Sequence, residues 1–580
     1  MCRLIAILAA ALVGALGAGA APPATGPATA PAALAPPVAA VLRYVPDDAH
    51  LVLVVPSLQE AVAGISAFGR AIGVKDMADV TVLEVLQGPL GERAKAIEAA
   101  GPFVMALSAQ HGEPVLIGSC SAAGLPKSTT SPAELVPGVQ LIEVGDSGYL
   151  ALTADRVAII GREKNDLLRA LESSGKIARR FAEQYAGLLA SRQAVLYIDV
   201  PPWHDVLRQQ LGVVAQSMYM GMAATPNAAE GIQVWKWIFE QVERIAGELN
   251  TYVVTARVDG EAVFLEDRLE FKPEGTVARY LRAVRKPKRD LLRGLSPDPA
   301  AFVFAYEWEL PPDVESVEAG LMRAFLRMDA MKERLGAEKL EAALDRSVEI
   351  HRKICGSNGV VEAVPEGDGL LISGLYLTTE GPVVQRELRE LYETFPELMN
   401  AWGGLPSTTV RHEDEKLGDV VGDLYRFTFE TDDARLQPML QMVYGATPSV
   451  YIVAYAPGVA YALGAQEPAR VRMLRLLSQP SASLSRDPRV ATLFTKLSPN
   501  PQMCMLVDAP RCVKLFGGMV RRIGVPFPAV PLSDEPAALI GCALYLEPEA
   551  MHGELLIPAA PLKSLVEAFQ KSETKTGKDD

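Results

Sequence analysis

The stretch VPDDAHLVLVVPSL, residues 45–58, decides the fold class of this chain. Its centre, LVLVV, is a short β-branched and apolar run, which is typical of a β-strand. Pro56 ends that strand and opens a helical pattern, because proline in the first turn of a helix loses no hydrogen bond that the helix needs. The stretch therefore predicts a strand that leads directly into a helix.

The same order of strand, proline and helix recurs in three later segments, which are SRQAVLYIDVPPW from Ser191, SPDPAAFVFAYEWELPPD from Ser296 and SPNPQMCMLVDAP from Ser498. Short β-rich runs around Asp-Gly, His-Gly or Gly-Glu follow these segments and predict hairpins. The order of elements is the same in the two halves of the chain, and so long a period is typical of a duplicated domain. We therefore predict an α+β fold of two similar lobes, each with antiparallel hairpins packed against helices.

The first residues read as a secretory signal, because Arg3 precedes an uncharged apolar run that ends in the small-residue pattern Ala18-Gly19-Ala20. Cleavage after Ala20 is expected, and retention of this segment as an anchor is the alternative. Composition sets the other boundaries. They are a signal peptide at 1–20, an Ala/Pro-rich tether at 21–43, lobe 1 at 44–285, a basic linker at 286–295, lobe 2 at 296–570 and a disordered tail at 571–580.

Composition and net charge limit the classes of function that this protein can have. An apolar content of 49% with 22% charged residues is that of a globular protein, and the net charge of -14 argues against a nucleic-acid partner. No charged residue lies between Arg435 and Glu467, yet Pro448 and Pro457-Gly458 divide this stretch into strand-length runs, which predicts a β-hairpin. We expect an extracytoplasmic protein with no membrane span once the signal is removed.

No motif for a catalytic centre, a cofactor or a structural metal is found, and the six cysteines lack Cys-x-x-Cys spacing and leave any disulfide open. His412-Glu413-Asp414-Glu415 is the densest run of metal-ligand types. In a strand His412 and Asp414 share one face and Glu413 points to the other. A solvated strand edge is favoured over a metal site, because no second ligand has the spacing of a known motif.

Three candidate interaction surfaces remain. Phe302, Phe304, Tyr306 and Trp308 share one strand face and could stack on a sugar, although a core-facing stripe is the more ordinary pattern. A basic patch could bind an anionic partner, and it comprises Arg279, Arg282, Arg285, Lys286, Lys288, Arg289 and Arg293. Met218, Met220 and Met222 could line an apolar groove, although core filling is favoured.

Through the strand–proline–helix segments, above all residues 45–58, the chain resembles a group of exported bacterial proteins whose shared domain has no known function. The resemblance implies an exported location and supplies no catalytic residues. The sequence thus favours a non-catalytic binding or structural protein of the cell envelope, with its ligand or partner unknown. Two alternatives stay open: an extracytoplasmic hydrolase with a site at the interface of the lobes, and a carrier of an apolar ligand.

Overall fold

The structure is a computed structural model that describes residues 33–576, apart from gaps. The gaps are 122–124, 126–132, 145–147, 223–227, 286–289, 297–299, 310, 312–332, 334–335, 364–368, 403–406, 431–439, 442–444, 446, 456–457, 480, 523–526 and 528–536. The predicted signal peptide, the first part of the predicted tether (21–32) and residues 577–580 lie outside the described residues. The described part contains helices and antiparallel strands, so the predicted α+β class is confirmed.

The described residues form twenty strands. They are β1 (Leu51–Val55), β2 (Phe103–Leu107), β3 (Val115–Ser119), β4 (Ala133–Val136), β5 (Val139–Glu143), β6 (Tyr149–Leu152), β7 (Val157–Gly161), β8 (Ala194–Asp199), β9 (Leu249–Val258), β10 (Ala262–Phe271), β11 (Phe302–Glu307), β12 (Gly356–Ala363), β13 (Leu370–Leu377), β14 (Ser407–Leu417), β15 (Val420–Glu430), β16 (Pro448–Tyr455), β17 (Gly458–Ala465), β18 (Met503–Val507), β19 (Ile540–Glu547) and β20 (Ala550–Pro558).

The described α-helices are α1 (Pro36–Leu42), α2 (Leu58–Ile72), α3 (Lys75–Ala78), α4 (Val82–Leu90), α5 (Lys164–Leu171), α6 (Lys176–Arg180), α7 (Ala186–Ser191), α8 (His204–Met222), α9 (Ala228–Glu248), α10 (Thr276–Ala283), α11 (Ala337–Lys353), α12 (Gly381–Trp402), α13 (Gln466–Ser478), α14 (Pro488–Phe494), α15 (Ala509–Arg522) and α16 (Ala559–Thr576). Among the described residues, no helix combines the length and the apolar character that crossing a bilayer requires.

The chain folds into two compact units. Unit 1 comprises the described residues of 1–205, 249–272 and 550–566, and unit 2 comprises those of 206–248, 273–549 and 567–580. These limits differ from the predicted lobes, because α8 and α9 group with unit 2 while β20 and the first part of α16 group with unit 1.

The sheet of unit 1 is antiparallel, with the strand order β4-β5-β6-β7-β3-β2-β1-β8-β9-β10-β20. Strand β1 is apolar at every position because both of its faces are covered. Val52 and Val54 pack with α1 and α5 on one face, and Leu53 and Val55 pack with α2 and α4 on the other. The continuous run LVLVV thus reflects a central strand buried on both faces.

The sheet of unit 2 is antiparallel, with the order β14-β15-β16-β17-β13-β12-β11-β18-β19. Helix α13 covers one face through Ala469 and Met473, and α11 and α12 cover the other through Ile350 and Val384. Strands β16 and β17 pair with each other along their length, so the hairpin predicted for the charge-free stretch is confirmed.

The nine strands of this order correspond, position by position, to the first nine strands of the order in unit 1. Counted from β1 in unit 1 and from β11 in unit 2, the strands of both orders run 4-5-6-7-3-2-1-8-9. The pairing orders agree with the predicted duplication of lobes, which itself stays a prediction.

Three predicted boundaries differ from the structure. The predicted tether extends to residue 43, yet residues 36–42 form α1, with Val41 and Leu42 fully buried. Part of the predicted linker packs into unit 2, where Leu292 and Leu295 are buried. Helix α16 continues through Thr576, whereas the predicted disordered tail begins at residue 571.

Candidate functional site

A cleft of about 520 Å³ opens in unit 1. Its lining residues come from the start of α1, the connection from β1 to α2, the loop before β2, the end of β3, and α7. Clefts of roughly 300–1,000 Å³ are the usual size of small-molecule sites in proteins. The cleft is therefore large enough to hold a small molecule.

The first turn of α2 and the loop before β2 fix two walls of the cleft. The Leu58 N–H donates to the Gly101 carbonyl at 3.3 Å, and the Glu60 N–H donates to Ser57 Oγ at 3.3 Å. A Cβ atom at Gly101 would lie 2.6 Å from Cβ of Ser119, so glycine allows the loop to close against β3. Since these bonds occupy N–H groups that a helix otherwise leaves open, they anchor the helix end beside the cleft.

The lining of the cleft is mainly apolar, with a few polar groups. Its apolar part includes Leu34, Val38, Pro102, Ala186 and Leu189, and its polar side chains are Ser57, Glu60, Glu98 and Ser119. Both glutamates are exposed to solvent. Because ionised carboxylates only accept hydrogen bonds, they complement a cationic group or a hydrogen-bond donor on a ligand.

The sequence contains no motif that points to this cleft. Ser57 and Glu60 have the spacing of a capping box, which is a local signal for the start of a helix and not for a binding site. Glu98 lies in the loop before β2 and carries no motif. Only the long-range pairing of β1, β2 and β3 brings the three residues to one cleft.

The four residues of the predicted aromatic platform share one face of β11 and its continuation, and the strand register places Tyr376 and Val459 on the same face of the sheet. Phe302, Phe304, Tyr306 and Trp308 are all half-buried, while the alternate residues Val303, Ala305 and Glu307 are buried. Tyr306 and Trp308 lie with ring centroids 4.7 Å apart. Both faces of β11 are thus covered, and the aromatic set is the less deeply buried of the two.

An ion pair lies on the more deeply buried face of β11. The Arg293 guanidinium donates to both carboxylate oxygens of Glu307, at 3.0 and 3.4 Å, and both side chains are largely buried. Asn358 Nδ2 donates to the backbone carbonyls of Leu291 and Arg293, which holds that segment against the sheet. Glu307 is thus a buried partner of Arg293 and is separated from the aromatic side chains by the sheet.

The predicted basic patch is mostly engaged in pairs within the chain. Arg293 binds Glu307, Arg282 binds Glu549 at 2.5 Å, and Arg285 lies 3.7 Å from Glu309. Arg279 is exposed and donates to Thr276, while Lys286, Lys288 and Arg289 lie outside the described residues. These pairs neutralise three of the four described arginines, which weakens the case for an anionic partner here.

A second polar cluster lies where α12 covers the hairpin of β14 and β15. His412 and Asp414 share a face, as predicted, and Asp423 lies directly across from Asp414. His412 Nε2 is 2.8 Å from Asp423 and 3.8 Å from Asp414, so the ligand-type atoms of the three residues converge within 4.8 Å. The cross-strand residue Asp423 had no signal in the sequence.

The donors around Asp423 explain this cluster as a polar contact between the helix and the hairpin. Gln385 Nε2 donates to the fully buried Asp423 carboxylate at 2.7 Å, and Arg389 pairs with both Asp423 and Asp414. Burial lowers the pKa of the Arg389 guanidinium, but the two carboxylates outweigh this effect and raise it overall. The carboxylate oxygens are committed to Arg389, Gln385 and His412, so the cluster joins α12 to the hairpin instead of forming the predicted solvated edge.

Buried polar contacts join β9 and β10 on both faces of the sheet in unit 1. Arg192 donates to both oxygens of Glu266, at 2.8 and 2.7 Å, and Thr255 donates to Glu266 at 2.9 Å. On the opposite face, the Tyr252 hydroxyl donates to Asp267 at 2.8 Å. Burial raises the pKa of Asp267 to about 7, against a lowering by the hydrogen bond from Tyr252.

No family model matches the chain, and no characterised protein matches it in sequence. Solved structures that are similar to it include two crystal forms of TP0453. Form I has 15% identity and a TM-score of 0.23, and the match covers 40% of this chain and 78% of that chain. Form III has 13% identity and the same TM-score, with 43% and 89% covered. Likeness at this level carries no argument about function.

Proposed function

We propose that the protein is an exported, non-catalytic binding protein of the cell envelope, and that its ligand occupies the cleft of unit 1. The observation that carries the proposal is a cleft of about 520 Å³ with an apolar lining and two glutamates. This combination of size, apolar walls and few polar groups is typical of sites that bind small molecules. The leader-like residues 1–20 support export.

The lining defines the class of ligand. Apolar walls favour an apolar body, and the carboxylates of Glu60 and Glu98 favour a cationic or hydrogen-bond-donating group on it. Among the described residues, the lining includes neither methionine nor an aromatic side chain, which a carrier of a purely apolar ligand was expected to use. An amphiphilic molecule with a positively charged or donor group therefore fits better than a hydrocarbon.

A displacement assay tests this proposal. Nile red serves as a neutral fluorescent probe of the cleft, and hexyltrimethylammonium, hexanol and hexanoate serve as competitors of equal chain length. We expect the ammonium compound to displace the probe most strongly and the carboxylate least, since the glutamates attract the first and repel the second. Equal displacement by all three would contradict the assigned ligand class.

Two variants of α7 locate the binding. Ala190 lines the cleft, whereas Gly187 lies on the same helix with open space at its Cβ position. Ala190→Trp should fill the cleft and abolish probe binding, and Gly187→Trp should leave it unchanged. Binding that survives Ala190→Trp would place the ligand elsewhere and refute the proposal for this cleft.

A further inference from the structure

Helices α8 and α9 expose an unusual amount of apolar surface. Exposed large apolar side chains on them are Val206, Leu207, Val213, Val214, Met220, Trp235, Val242 and Ile245. Met220, for which the sequence favours core filling, is 65% exposed. The sequence carries no charge from Gln209 to Ala229. Several exposed apolar side chains on neighbouring turns are typical of an interaction site.

Two side-chain contacts join the two helices in antiparallel order. Arg208 of α8 pairs with Glu243 of α9 at 2.5 Å, and the rings of Tyr219 and Phe239 meet edge to face with centroids 6.2 Å apart. These four residues mark the sides by which the two helices face each other. They also fix the direction of every other side chain on the two helices.

One apolar stripe runs along each helix, just beside this line. The stripe of α8 is Leu207, Leu211, Val214 and Met218, and that of α9 is Trp235, Ile238, Val242 and Ile245. Both follow the alternating spacing of three and four residues that forms a helix–helix seam. Each stripe includes two residues that directly precede contacting residues. Leu207 and Met218 precede Arg208 and Tyr219 on α8, and Ile238 and Val242 precede Phe239 and Glu243 on α9. Because the helices are antiparallel, a step of one residue backward turns both stripes to the same side of the hairpin.

We propose that this side of the hairpin binds the same side of a second copy of the chain, which joins the four helices in a bundle with twofold symmetry. Side chains at seam spacing on two adjacent helices are the pattern that packs against another pair of helices. A twofold contact requires a surface that complements itself, and a charge-free face of apolar side chains meets this requirement.

The available area suffices for a stable dimer. Helix α8 has 19 residues and α9 has 21. At 1.5 Å per residue α8 is about 28 Å long, and two helices side by side present a face about 20 Å wide. Each copy would thus bury about 550 Å², and the pair about 1,100 Å², which exceeds the roughly 1,000 Å² expected of a specific interface.

Charge favours a second copy over a lipid surface. Helices that lie on membranes carry lysine and arginine on their polar side, which attract anionic head groups. In α9 the basic residues Lys236 and Arg244 are outnumbered by Glu240, Glu243 and Glu248, and the whole chain has a net charge of -14. The hairpin therefore has the apolar stripes of a helix–helix interface without the positive charge of a lipid-binding surface.

Light scattering after size exclusion tests the proposal on the full chain. We expect the wild-type protein to have twice the 62.2 kDa mass of one chain and to dissociate on dilution. Val214→Asp and Val242→Asp should raise the dissociation constant at least about 100-fold, because each would bury an unpaired carboxylate in the interface. The matched control is Val471→Asp on α13, since Val471 is 52% exposed and Val214 is 50% exposed; it should remain a dimer.

Two further measurements separate the possible outcomes. Circular dichroism should show that all three variants stay folded, because the substituted side chains are exposed. Hydrogen exchange should show protection of 204–222 and 228–248 that increases with protein concentration. A wild-type protein that is monomeric at every concentration overturns the proposal. Flotation with phosphatidylcholine vesicles that Val214→Asp abolishes, combined with a monomer in solution, would assign the face to a membrane instead.

Discussion

Replacement of Asp267 by asparagine should make the protein more stable at alkaline pH and leave its stability at acidic pH nearly unchanged. Asp267 lies on β10, is only 8% exposed, and accepts a hydrogen bond from Tyr252 at 2.8 Å. Burial raises its pKa from 3.8 to about 7. The amide of asparagine has a similar shape, can accept the same hydrogen bond and cannot ionise.

The sign of the effect follows from proton binding. Between pH 4 and about 7 the folded protein keeps the proton on Asp267, and the unfolded chain releases it. The free energy of unfolding therefore decreases as the pH rises through this range. A shift of about three pKa units corresponds to about 4 kcal/mol, at 1.36 kcal/mol per unit. The variant does not carry this penalty, so its advantage should develop between pH 4 and 8.

Guanidinium unfolding of the wild type and of Asp267→Asn at pH 4, 6 and 8 measures the effect. The difference between the two proteins at each pH removes the contributions of all other titrating groups. Asp79→Asn is the control, because it makes the same chemical change at an exposed position. A stability difference between wild type and Asp267→Asn that is the same at all three pH values would refute the reasoning.

Three further substitutions test particular contacts by the midpoint of chemical unfolding. Arg192→Met should cost about 3–5 kcal/mol, because it leaves the Glu266 carboxylate buried without its bidentate partner; a cost below 1 kcal/mol would show that Glu266 is solvated. Gly374→Ala should cost about 3 kcal/mol or more, since its Cβ would lie 1.9 Å from the Asn358 carbonyl oxygen, and an unchanged midpoint would contradict that approach. Leu42→Ala should cost about 2–5 kcal/mol if residues 36–42 belong to the folded core, whereas a tether would tolerate it.

Local patterns in the sequence predicted elements but not their neighbours. The run LVLVV and the hairpin of β16 and β17 follow from side-chain type and turn residues, which act within a few positions. The pairings of β1 with β8 and of β3 with β7 join segments far apart in the chain. Both partners in each of these pairings are apolar runs, and apolar runs alone do not select which other run they join. The strand order could therefore not be predicted from the sequence.

Helix α1 shows a signal that composition concealed. Residues 21–43 are rich in alanine and proline, which favours a tether. Within them, Pro36 and Pro37 stand where a helix accepts proline, and Val38, Val41 and Leu42 are spaced for one helical face. These three side chains are buried in the core of unit 1. The helical spacing of these residues predicts this segment better than its composition does, because three apolar contacts are enough to hold a short helix against the core.

The face of β11 shows a different limit. Alternation along a strand separates two sets of side chains but does not state which set is buried. Hydrophobicity assigns the deepest burial to Phe302, Phe304 and Tyr306, yet the more deeply buried set is Val303, Ala305 and Glu307. The deciding contact is the pair of Glu307 with Arg293, whose position against the sheet depends on the fold around it.

Buried ion pairs of this kind recur in both units, and the sheets give a reason for them. Arg192 with Glu266 lies in unit 1, and Arg293 with Glu307 lies in unit 2. A strand that is apolar on both faces, such as β1, loses little burial when its pairing slips by one residue. A buried carboxylate loses its partner in the same slip, at a cost of several kcal/mol. The pairs therefore favour one register over its neighbours, even though their net contribution to stability is small.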